Sequence, residues 1–152
     1  MGMASSRLVL AVGCGILLLR CASGAAVRPP SETPLLPVVS GPQFDGIIVP
    51  RLVNFAESWT PTEAQVASAE PYVQECVLSK RPGLKSTLRM YFRQYSGITV
   101  AGRRQLRIDF FDTRHYTVDQ LRHPLVVCDG DPDDYPVVVY NLESATCSFL
   151  GN

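Results

Sequence analysis

Two alternating segments flank Ala101-Gly102, and they restrict the fold more than any other feature of the chain. From Thr87 to Val100, Leu88, Met90 and Phe92 fall on one side, and Arg89, Tyr91, Arg93 and Tyr95 on the other. From Arg103 to Phe111, Leu106, Ile108 and Phe110 oppose Arg103, Gln105, Arg107 and Asp109. A period of two belongs to strands, and a tight turn between two such runs reads as a β-hairpin. Shorter apolar runs follow at Pro124–Cys128 (PLVVC), Val137–Tyr140 (VVVY) and Cys147–Leu150. The loop Asp129–Asp134 (DGDPDD) and the turn Asn141–Thr146 separate them. Strands joined by short turns pair antiparallel, so this half predicts a meander of about four to five strands.

Ahead of the hairpin lies a helix signal. Thr60 is placed to cap, Pro61 suits the first helical position, and Glu63 completes a capping box. The helix is expected to run to about Ser79, with Val66, Ala69, Val73, Cys76 and Val77 on one stripe. Pro71 removes one helical hydrogen bond and predicts a kink near Ala67–Glu70, and Pro82-Gly83 ends the element. The expected fold class is α+β: one N-terminal helix packed on a curled antiparallel meander, the arrangement that cystatin-like and nuclear-transport-factor-like folds share.

The first third of the chain has a different character. Arg7 precedes an apolar run from Leu8 to Leu19, which fits the core of a secretory signal and is short for a membrane span. Small residues at Ala22–Ala26 suit signal peptidase, so residues 1–26 read as a signal peptide and the chain as secreted or periplasmic. Arg20 before Cys21 breaks the lipoprotein pattern, and a membrane role follows only if the leader is retained or lipidated. Six of the twelve prolines fall within 27–50, which predicts an extended tether. Phe44–Phe55 is more apolar and reads as an extended edge segment, kept off a central strand by Pro50. Residues 51–152 are then the single folded domain.

Charge narrows the function. The chain carries 14 basic and 14 acidic residues, and loss of the leader removes Arg7 and Arg20 and no acid. A globally basic nucleic-acid binder is therefore disfavoured. The charges are segregated. Eight cations and no acid lie between Lys80 and Arg107, and seven acids lie between Ile108 and Asp134. Arg89, Tyr91, Arg93 and Tyr95, extended across the hairpin by Arg103 and Arg107, form a candidate binding face. Arginine interleaved with tyrosine can pair with and stack on an anionic polymer or an envelope or extracellular protein. Asp129, Asp131 and Asp133 have the spacing of a calcium loop and are candidate metal ligands. Asp134 stands where such a loop needs glycine, and Tyr140 where it needs glutamate, so the motif fails as an EF-hand.

Catalytic signals are weak. His115 and His123 lie between strands, no nucleophile elbow or HExxH pair is present, and no cofactor motif occurs. Cys76 falls on the buried helical stripe. Cys128 and Cys147 would be separated by the VVVY strand, about 9.6 Å or two strand steps, which is too far for a disulfide. A pair, if formed, joins Cys76 to one of the two. Two readings follow: a non-enzymatic binding or inhibitory module, and a small enzyme or ligand binder with a pocket between helix and sheet, lined by His115, His123 or acids.

The stretches WTPTEAQV, YFRQYSGITVAGRRQLRIDFF, VVCDGD and YNLESATCSFLGN resemble a family of small exported bacterial proteins of uncharacterised activity. The resemblance covers about the last two-thirds of the chain. It implies compartment and a cystatin-like or nuclear-transport-factor-like α+β fold, and no activity. Many members of that family have a cysteine just after the paired phenylalanines and a second in the acidic loop. Asp112 and residues around Asp134 stand there in this chain.

Overall fold

Pairing of the hairpin strands organises the whole molecule. A computed structural model describes residues 35–50, 57–124 and 136–150. Strand β4 (Tyr91–Val100) and strand β5 (Arg103–Asp112) pair antiparallel over their full length, from Val100 against Arg103 to Tyr91 against Asp112. The turn between them holds Ala101 at φ 50° and Gly102 at φ 75°, the left-handed pair that matches the twist of a two-residue hairpin. The meander continues through β6 (Val137–Asn141) to β7 (Thr146–Phe149).

On the other side of β4 the sheet is built from residues read as tether. Strand β1 (Val38–Gly41) pairs with β2 (Phe44–Ile48), and β2 pairs parallel with β4, Asp45 beside Phe92. A two-residue strand β3 (Ser58–Trp59) joins β4 further along, opposite Gly97 and Ile98. Gly97 is required there: a Cβ on it would overlap the Trp59 ring and carbonyl. The result is an α+β fold with a mixed seven-stranded sheet in the order β1-β2-β4-β5-β6-β7, β3 lying off this path.

The expectation of a purely antiparallel meander is thus corrected by the β2–β4 pair, and strand pairing begins at Val38. Phe44–Ile48 is internal to the sheet, between β1 and β4, rather than at its edge. Phe44 packs into the helix-side core and Ile47 into the core on the other face, while Asp45 is exposed. Three strands precede the main helix, so the helix is not the first element. The PLVVC strand falls, apart from Pro124, outside the described residues.

Helix α1 (Glu63–Lys80) starts two residues later than the sequence suggested. Thr62, not Thr60, is the cap: its hydroxyl accepts from the Gln65 N–H, and the Gln65 side chain accepts from the Thr62 N–H. The helix runs as one element through Pro71. Ala67 and Pro71 are both exposed, so the carbonyl released by the proline lies on the wet side. Val66, Ala69, Val73 and Val77 pack on Tyr91, Tyr95, Leu106, Ile108, Phe110, Val138 and Tyr140. A disulfide joins Cys76 of α1 to Cys147 of β7.

The opposite face of the sheet is also covered. Ile47, Val49, Phe92 and Phe111 pack with Leu121 of the short helix α2 (Val118–Leu121), which Thr117 and Gln120 cap as a second box. Gln94 donates from its amide to the Leu121 and His123 carbonyls. The Leu36 N–H and the Arg122 carbonyl pair, and the Arg122 Nε donates back to the Leu36 carbonyl. Both faces of β4 are therefore dry from Tyr91 to Ile98, which is why its period-two pattern does not separate an inner from an outer side. Thr87–Met90, read as the start of this strand, forms 3-10 turns instead.

Candidate functional site

The six residues expected to share a basic sheet face are not on one surface. In the hairpin, residues directly opposite each other point the same way, and Arg93 is opposite Phe110 while Tyr95 is opposite Ile108. Tyr91, Arg93 and Tyr95 therefore face α1 with Leu106, Ile108 and Phe110, whereas Arg103 and Arg107 lie on the other side. Arg89 is exposed on the 3-10 turns before β4, and Arg103 is exposed at the hairpin tip. Arg107 is half-buried and holds Asp109 through Nε and Nη2 at 2.9 and 2.7 Å.

Arg93 has no exposed surface. Its guanidinium lies between the rings of Phe44 and Phe110, 5.6 and 5.1 Å from their centroids. Nη1 donates to the Gln43 carbonyl at 3.3 Å, and Nε is 3.6 Å from Oε1 of the equally buried Glu70. The Tyr95 hydroxyl donates to the same Glu70 oxygen at 2.6 Å, and the Gln74 amide donates to Oε2 at 3.1 Å. Burial, followed by the Glu70 charge, pushes the Tyr95 phenol above its ordinary range, so it stays a donor. The cation thus lies under the helix with its own counter-ion. Arg93, Tyr95 and Glu70 are bound to one another inside the core, where they fix the helix on the sheet.

The other chemically active side chains are dispersed. Cys76 and Cys147 are oxidised to the disulfide. His115 is exposed on the turn after β5, where its N–H donates to the Asp112 carbonyl. His123 has a buried Nδ1 with no hydrogen-bond partner among the described residues. Asp112 is held by Arg114, whose guanidinium and N–H both donate to it. Those bonds keep its carboxyl below the usual carboxylate range. Among the described residues no group of three His, Cys, Asp or Glu side chains could hold a metal ion. Asp129, Asp131 and Asp133 lie outside the described residues. Among those described, no helix is long and apolar enough to cross a membrane.

One basic surface does form, on the segment that joins α1 to β4. Residues 80–90 hold four cations and no acid. Two turns of 3-10 helix, Pro82–Ser86 and Leu88–Met90, run along this strap. The N–H groups of Leu84, Thr87 and Met90 each donate three residues back. Leu84 and Leu88 pack into the helix-side core and pin it, which leaves Lys80, Lys85 and Arg89 exposed outside. Arg81 lies 5.6 Å over the Phe149 ring. Met90, 36% exposed, adds an apolar contact at the end of the strap. Of these cations only Arg89 belonged to the expected face. The signal for the others was the acid-free run itself, with glycine and proline marking a turn inside it. No family model, no curated protein and no solved structure matches the chain.

Proposed function

We propose that this chain is an exported binding or inhibitory module of cystatin-like type that holds an anionic partner on the Lys80–Arg89 strap. One observation carries the reading. Lys80, Lys85 and Arg89 are exposed on a hydrogen-bonded segment that contains no acid, and among the described residues none has a carboxylate partner. Lys80 also complements the carbonyl end of α1, a role worth about 0.3–1 kcal/mol, but Lys85 and Arg89 have no such structural task.

Two further points support it. A helix-to-strand disulfide suits an oxidising compartment, as the leader does. The inward groups that a catalyst would use, Glu70, Arg93 and Tyr95, are spent on each other, and the helix-side interior is filled by side chains such as Leu106, Ile108 and Phe110. The exported family that the C-terminal two-thirds resembles agrees with this compartment. The alternative of a pocket enzyme would require His115 or His123 to face a cavity beside α1, whereas both lie on the segment after β5.

The test is capture of polyglutamate by the full chain at low and physiological salt. Binding is expected, weakening steeply as salt rises. The Lys80→Glu, Lys85→Glu, Arg89→Glu variant is expected to lose at least about tenfold in affinity while remaining folded, its melting lowered only as far as the lost Lys80 contact with the end of α1 requires. Capture unchanged by the three reversals overturns the reading.

A further inference from the structure

The sheet ends at two edges that are protected very differently. At one, Pro37 and Pro42 bracket β1, and proline at an edge discourages further pairing. At the other, β7 reads Thr146-Cys147-Ser148-Phe149, with no proline and no charge. Among the described residues nothing pairs with its outer side.

The register tells which groups face outward. The Leu150 N–H donates to the Val137 carbonyl, across from it in the β6–β7 pair. Bonding direction alternates along an antiparallel pair, so the N–H and C=O of Ser148 and Thr146 also turn toward β6. Those of Cys147 and Phe149 then point away from the sheet, which offers two donors and two acceptors to an added strand.

What flanks the edge selects the occupant. On the helix side stand the Cys76–Cys147 disulfide and Tyr72, 51% exposed and stacked on Tyr140 at 6.0 Å between centroids. The disulfide sits on β7 itself and Tyr72 over β6, so the helix side of this edge is apolar. At the Phe149 end stand Arg81, over its ring, and Lys80 in the last helical turn.

We propose that β7 receives an extended segment of a partner protein as an additional strand, with acidic residues of that segment at the Phe149 end, beside the basic strap. The inference rests on the anion-binding reading above and gives it a partner class: a protein strand with an acidic end. Main-chain bonds to Cys147 and Phe149 supply affinity, while the apolar helix side of the edge and the cations supply selection.

The probe is an eight-residue peptide of alternating threonine and valine that ends in two glutamates. It is added to the full chain while amide exchange is followed by NMR. In the free protein the Cys147 and Phe149 amides are expected to exchange fast and those of Ser148 and Leu150 slowly. The peptide is expected to slow Cys147 and Phe149 by at least about tenfold. Two control peptides keep the fold of the protein out of question. One ends in two lysines and is expected to bind at least about tenfold more weakly. The other is N-methylated at alternate residues and is expected not to protect either amide. Polyglutamate is run in parallel. If polyglutamate binds through Lys80, Lys85 and Arg89 but the peptide protects neither amide, the strand-addition proposal falls and the anion-binding reading stands. If neither probe binds, both fall. Equal protection by the glutamate-ended and lysine-ended peptides also overturns the proposal, because the acidic end is part of it.

Discussion

A charge with no exposed surface is expensive, and the groups around Arg93 offset part of that cost, its Nε and Nη2 having no hydrogen-bond partner among the described residues. Glu70 neutralises it, Phe44 and Phe110 take its flat faces, and the Gln43 carbonyl takes Nη1. Removing one partner of a buried pair strands the other, so Arg93→Leu is expected to cost about 3–5 kcal/mol in urea unfolding. Arg93→Leu with Glu70→Leu is expected to recover most of that loss. A double variant as damaged as the single would show that ring stacking and not charge is what holds Arg93. Asp112 gives a second test at this scale. Its carboxyl is depressed by the Arg114 bonds, so its stabilisation is fully present above the unfolded value of about 3.9 and is lost as pH falls through the lower folded one. Asp112→Asn is expected to flatten the loss of stability below about pH 4 in acid titrations followed by circular dichroism. An acid limb as steep as the parent's would contradict it. Neither residue was legible as structural. An arginine between two tyrosines in an alternating run looks the same whether the far side is water or an ion pair, and Glu70 is distant in sequence.

At the level of elements, the hairpin was readable and its facing was derivable. A two-residue turn at 101–102 makes opposite positions sum to 203, which pairs Arg93 with Phe110 and sets the Arg/Tyr side against the apolar side of β5. Assigning the faces from polarity alone reverses β4. The turn also carries a local test. Ala101 is held at φ 50°, where a non-glycine side chain is strained and asparagine is better tolerated. Ala101→Asn is expected to stabilise by roughly 1 kcal/mol, read from the denaturation midpoint at unchanged slope. A lower midpoint would mean that the turn is not under this strain. The helix was legible in type and in its buried stripe, and its start moved from Thr60 to Thr62 because Gln65 rather than Glu63 completes the box. The Thr117–Gln120 box of α2 carried the same signal and was passed over, because only four helical residues follow it. β1 and β2 were hidden by proline density: Pro37 and Pro42 sit just outside or between these strands, where they interrupt no ladder bond.

Across the whole molecule, order in the sheet follows order along the chain with β3 alone off the path, and the disulfide ties the last strand back to the helix. The sheet begins with β1 and ends with β7, so its last strand is held on one side by β6 alone and on the face by α1. Cys76 and Cys147 are 71 residues apart, and cross-linking a loop of that length removes about 4 kcal/mol of chain entropy from the unfolded state. The favoured partner for Cys76 was one of the strand cysteines, and which one depended on helix placement: α1 crosses the β6–β7 end of the sheet. The bond serves two ends at once. It stabilises a domain of about 100 residues, and it keeps β7 flat against the sheet with its outward Cys147 and Phe149 groups in register for an added strand. Cys76→Ala with Cys147→Ala is therefore expected to lower unfolding free energy by about 2–5 kcal/mol. It is also expected to raise exchange at the Ser148 and Leu150 amides before it affects those of β4 and β5. Loss of protection spread evenly over the sheet would mean that the disulfide stabilises the fold as a whole without holding its edge. Retained protection at Ser148 and Leu150 in the double variant would mean that β6 pairing alone keeps that edge in place.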